Sequence, residues 1–195
     1  ELFVDKEHFG YIIVDEIFEI NPRERVRQIY GTDDMFHPGV KKTFDRLGKF
    51  AISGNYEIDF TILDKSKQII DEAKIRVGAH HTTTIMMAAN PLHRAHELLI
   101  RQTLDKTDLI IIFLLKPYDN TELVYETREE TLDFFITNFL PKNRVVVIPL
   151  ESSYIFSGYN NVLIDAIVDS SYGCNGLTVG QNDARSGLDY DPNAL

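Results

Sequence analysis

The chain has 195 residues, 44 % of them hydrophobic, and a formal net charge of −10 at pH 7, enough apolar material for one packed domain or two small ones. Such acidity repels nucleic-acid phosphates, and no basic stripe with interleaved aromatics offsets it, so the sequence argues against a nucleic-acid partner. The longest apolar run, Leu109 to Leu115, is far too short for a membrane span and no charged-then-apolar leader opens the chain, so we expect no membrane partner and a cytoplasmic protein. One cysteine, Cys174, cannot form an internal disulfide and reads as a small apolar residue. The chain opens at Glu1 rather than Met, as an excised or trimmed segment would.

In chain order, "HFGYIIVDEIFEIN" predicts a strand, and "PRERVRQIY" a helix with proline in its first turn. "FHPGVKKTFDRLG" predicts a turn and a short helix stopped by Gly48. "KFAISGNYEIDF" predicts a β-hairpin turning at Ser53, Gly54 and Asn55. "DKSKQIIDEAKIRVG" has the spacing of an amphipathic connecting helix ending at Gly78. Residues 1–78 thus form a small β-rich module with its connecting helix.

After residue 78 the pattern alternates. "TTTIMMAAN", "DLIIIFLL", "RVVVIPL" and "GLTVG" predict strands, separated by helices in "RAHELLIRQTLDK", "TREETLDFFITNF" and "YNNVLIDAIVDSSYG". Nearly unbroken β-branched strands are expected where helices cover both faces of a parallel sheet. Residues 79–195 are therefore expected to fold as a doubly wound α/β domain with four strands. Ligands in such domains sit at the carboxyl ends of the strands, the position held by "ANPLHRAH" after the first strand.

Asn90 and Pro91 turn the chain there, and proline biases Asn90 away from helical geometry. The helix then begins with His93 and His96 on one face of its first turn, beside backbone N–H groups that lack helical acceptors. Two imidazoles and several amides in one small volume suit nucleotide phosphates, above all the charge developing at the α–β bridging oxygen as that bond breaks. Arg94 adds a cation nearby. Two histidines without a third ligand are not a zinc site, and no metal site is expected in the protein.

"NPLHRAHE" resembles the signature of the ATP sulfurylase (sulfate adenylyltransferase) family within the nucleotidylyltransferase superfamily. The likeness extends to "HFGYIIVDEIFEI" and "IYGTDDMFHPGVKK", similar to the later half of the family's PUA-like N-terminal domain, to "YETREETLDFFITNFLPKNRVVVIPL", and to "YGCNGLTVGQNDARSG", where the family has a second substrate loop. This resemblance implies a partial PUA-like domain at 1–78 and a nucleotide-binding catalytic domain at 79–195. It implies the reaction of ATP, with magnesium, and sulfate to adenosine 5'-phosphosulfate and pyrophosphate. Asn90, His93 and His96 would be catalytic. Asn90, Pro91, His93, Arg94, His96, Gly180 and Ala184 would bind the nucleotide, Arg185 and Arg128 are candidates for the oxyanion, and a homo-oligomer is a possible assembly.

The chain departs from the family where Gln-x-Arg-Asn-Pro is expected, reading Met87, Ala88, Ala89, Asn90, Pro91, and again in the later loop at Gln181, Asn182 and Asp183. Lost arginine–oxyanion bonds are of the strong, charge-assisted kind. Three readings follow: an ATP sulfurylase, a nucleotidyltransferase acting on another acceptor, and a nucleotide-binding regulatory homologue of weak activity.

Overall fold

The computed structural model describes residues 1–4, 6–116, 123–151 and 161–180. The chain forms β1 (Leu2–Val4), β2 (Glu7–Glu19), α1 (Pro22–Tyr30), α2 (Pro38–Arg46), β3 (Phe50–Ile58), α3 (Thr61–Val77), β4 (Thr82–Met87), α4 (Arg94–Leu104), β5 (Leu109–Leu115), α5 (Tyr125–Phe139), β6 (Val145–Leu150), α6 (Asn161–Ser171) and β7 (Gly176–Thr178).

The first three strands make an antiparallel sheet of order β1-β2-β3. Local chemistry starts and stops its helices. Asn21 caps α1 by accepting the Glu24 N–H at 3.2 Å, with Pro22 following it, and Gly31 ends the helix in the left-handed region. His37 caps α2, its Nδ1 accepting the Val40 N–H at 3.4 Å. Val26, Tyr30 and Val40 bury the contact between these helices.

Two sequence expectations fail in this region. No hairpin forms at Ser53 to Asn55; β3 runs straight through them against β2, with Gly54 opposite Val14 beside a bulge at Asp15. The glycine is needed for close approach, because a Cβ at Gly54 would collide with the Ile13 carbonyl. Likewise α2 ends at Arg46, where extended Leu47 returns its N–H to the Thr43 carbonyl, before Gly48 is reached.

The second sheet is parallel, of order β6-β5-β4-β7, as the alternating pattern predicts. β5 shows why its sequence is unbroken. Leu109, Ile111 and Phe113 enter one buried cluster with Ile70 and Ala73 of α3 and with Tyr172 and Cys174 at the end of α6. Ile110, Ile112 and Leu114 enter the opposite one with Ile85, Ile100, Leu104 and Leu132, contributed by β4, α4 and α5. Each such side chain taken fully from water contributes about 1.5–3 kcal/mol. Burial pushes the Cys174 thiol up to about 12, with the Asp169 carboxylate adding to the rise, in keeping with an apolar role. The connections run from β4 to β5 to β6 on one side of β4, and α6 then returns the chain to β7 on its other side. The carboxyl ends of β4 and β7 therefore lie side by side at the switch point of the sheet, where open α/β sheets hold ligands. No helix among the described residues is long and apolar enough to cross a membrane.

Candidate active site

The site is built on the segment leaving β4. After Met87 the chain passes through Ala88 and Ala89, the latter at φ 48°, then through a cis Asn90–Pro91 peptide to His93. His93 is extended (φ −148°, ψ 174°) and is the N-cap of α4, so His96 occupies the third helical position. The His93 N–H donates to His96 Nδ1 at 3.2 Å, and the His93 carbonyl accepts the His96 N–H at 2.9 Å. The two rings stack with centroids 3.9 Å apart and planes tilted by 30°.

That hydrogen bond fixes a chemical state. With Nδ1 an acceptor, neutral His96 carries its proton on Nε2, which is then a donor available to a ligand. Half-burial lowers the His96 pKa, and the neighbouring His93 lowers it further. By helix geometry the amides of Arg94 and Ala95 have no acceptor within α4. An imidazole N–H and the positive end of a helix thus meet in one place, an arrangement suited to an anion.

The loop is held from behind by the start of α5. Asn90 Oδ1 accepts the Leu123 N–H at 3.1 Å, and Arg128 Nη1 donates to the Ala88 carbonyl at 2.6 Å. Arg128 is only 1 % exposed, buried in the same layer as Leu132 one turn later. Leu92 and Tyr125 pack onto the cluster containing Leu132. The resemblance makes Arg128 a candidate for the oxyanion; its burial is foreshadowed by spacing, because Arg128, Leu132 and Ile136 share one helical face.

Asn90, Pro91, His93 and His96 thus lie together on one turn. Arg94 is exposed and lines a shallow groove along α4 with Ala95, Glu97, Leu98 and Arg101. Gly180 follows β7, next to β4 in the sheet. Ala184 and Arg185 lie outside the described residues. The two positions that depart from the family signature are a surprise: Met87 and Ala89 are 3 % and 1 % exposed and belong to the core beneath the loop. Their side chains pack against the α4 and α5 layer.

A parallel sheet of this order, with a histidine-capped helix after its first strand, defines a doubly wound α/β domain with an anion-suited turn at its switch point. The sequence model of the ATP-sulfurylase family matches residues 64–195, and that of a PUA-like domain matches residues 2–59. The chain belongs to the ATP-sulfurylase family. A sulfate adenylyltransferase of Thiobacillus denitrificans is 28 % identical over 197 residues, covering 95 % of this chain and 48 % of that protein. Those of Psychrobacter sp. and Entamoeba histolytica are 26 % and 27 % identical, covering 96 % and 94 % of this chain and 46 % of each relative. The chain spans about half the length of these curated relatives.

Proposed function

We propose that the chain carries the nucleotide-handling centre of a sulfate adenylyltransferase, joining ATP and sulfate to give adenosine 5'-phosphosulfate and pyrophosphate. A sulfate oxygen attacks the α-phosphorus, the bond to the α–β bridging oxygen breaks, and the electron pair leaves with pyrophosphate. No proton needs to move. What carries this reading is the stacked His93–His96 pair at the N-terminus of α4, with His96 Nδ1 occupied and Nε2–H left to donate. In this role His96, His93 and the α4 amides stabilise charge that grows on the departing pyrophosphate, where preorganised donors act most strongly. Asn90 holds the turn through Leu123, and Arg94 and the Gly180 loop contribute further nucleotide contacts. Magnesium enters as part of the MgATP substrate, held by phosphate oxygens; the described residues contain no group of three His, Cys, Asp or Glu side chains placed to hold a metal.

A second reading is favoured by the inward-facing Met87 and Ala89, which supply no donor to an oxyanion. On that reading the same phosphate chemistry serves a different acceptor. Pyrophosphate release from MgATP, measured with sulfate, molybdate and a panel of other nucleophiles, decides between the two. Sulfate-dependent release that falls by roughly 10²-fold in His96→Ala supports the first reading. Release with another acceptor alone supports the second, and no release with any acceptor sinks both in favour of a regulatory homologue.

A further inference from the structure

The loop carrying Asn90 and His93 is short, and one of its residues is held against its own preference. Ala89 lies in the left-handed region at φ 48°, where a side chain with a Cβ costs about 1–2 kcal/mol. Such a conformation persists only where the surroundings determine it. Two bonds from the start of α5 bracket it: Leu123 N–H to Asn90 Oδ1 on one side, and Arg128 Nη1 to the Ala88 carbonyl on the other. Arg128 is buried at 1 % exposure, and its Nη1 meets the loop at the Ala88 carbonyl. Ala89 itself packs into the core that Leu132 completes.

We propose that Arg128 is a positioning residue, which holds the Ala88–Asn90 backbone in the one conformation that aligns His93 and His96. This rests on the proposed adenylyl-transfer reading for its kinetic consequence, but not for its structural one. A buried, charge-assisted bond to a carbonyl is both strong and directional. Small misplacements of a catalytic group cost rate out of proportion to their size.

The test compares Arg128→Met, which keeps the length and loses the donor, with Arg128→Lys and with Leu132→Ala, a core truncation one turn along the same helix. Pyrophosphate release gives kcat and KM for ATP, amide hydrogen exchange in the nucleotide-free protein reports the loop, and thermal melting reports global stability. Arg128→Met should lower kcat by roughly 10- to 100-fold while KM for ATP moves by less than about threefold. Arg128→Lys should recover most of the loss. Exchange at the Asn90, Leu92 and His93 amides should quicken by roughly tenfold or more in Arg128→Met and by clearly less in Leu132→Ala, although the latter melts at lower temperature. Equal losses of kcat in Arg128→Met and Leu132→Ala, or unaltered exchange at residues 90 to 93, would overturn the proposal. Arg128→Gln, too short to reach Ala88, makes the same comparison should Arg128→Met not fold. If the native protein releases no pyrophosphate with any acceptor, the functional reading fails, and the exchange measurement alone still decides the role of Arg128.

Discussion

At His96 a single hydrogen bond decides what the side chain can do. Its Nδ1 accepts from the His93 N–H, so protonating the ring would set two donors against each other across that contact. Burial and the neighbouring His93 act in the same direction, lowering its pKa. The sign for stability follows from that. The unfolded chain takes up the proton near the ordinary imidazole value of about 6.5, and the folded chain does so only at lower pH. The contribution is therefore absent above the unfolded value, and stability falls as pH drops through it. Histidine NMR titration of the nucleotide-free protein should give His96 a midpoint below that ordinary value, with the Nε2–H tautomer above it. His96→Gln should flatten the acid limb of the stability curve. A midpoint at or above the ordinary value, or an Nδ1–H tautomer, would contradict the geometry. The His93–His96 pairing was legible in the sequence because a three-residue spacing at a helix start is local information. The bond from Leu123 to Asn90 was not, since it joins residues 33 apart in sequence. Arg128 lay between these cases: its spacing to Leu132 pointed inward, but arginine is so seldom buried that its residue type argued the other way.

Among the elements, β5 was the most legible, because a strand covered on both faces has no polar side to disguise it. The Ser-Gly-Asn stretch of β3 misled for a physical reason: the glycine that would suit a hairpin turn is used for close approach to the bulged partner strand. The helix α3 carries a different lesson. Its amphipathic pattern identified a helix ending at Gly78, which is left-handed as expected, but the pattern did not say which layer its apolar stripe would join. Ile70 and Ala73 are buried against Leu109, Ile111 and Phe113 of β5, and Lys74 Nζ donates to the Gly173 carbonyl at 2.6 Å beyond α6. We propose that the division between the two modules falls before α3, so that this helix unfolds with the α/β sheet. Ile70→Ala should then cost about 2–5 kcal/mol in the unfolding of that sheet. Ile75→Ala, at a position 82 % exposed, should stay within about 0.5 kcal/mol of the native protein. Denaturant melts followed by probes on β5 and on β3 check this; an Ile70→Ala effect confined to the β3 probe would place α3 with the first module.

For the molecule as a whole, the net charge of −10 works against an anionic substrate, so recognition of phosphate has to be local. The helix dipole and free amides of α4, the His96 N–H and Arg94 supply that locality at the switch point of the sheet, where the β4 and β7 ends meet. The doubly wound class could be read from alternation alone, because strand and helix periods differ so plainly. The inward turn of Met87 and Ala89 could not, because a strand pattern does not tell on which residue the chain will leave the sheet. The central claim is that the turn from Asn90 to His96 receives the phosphates of a nucleotide, and an amide and imidazole NMR titration of this chain with MgATP tests it most directly. The account predicts saturable shifts concentrated at residues 90 to 96 and in both imidazoles, strongly weakened in His96→Ala. Shifts centred elsewhere on the α/β domain, or a response unchanged by His96→Ala, would contradict it.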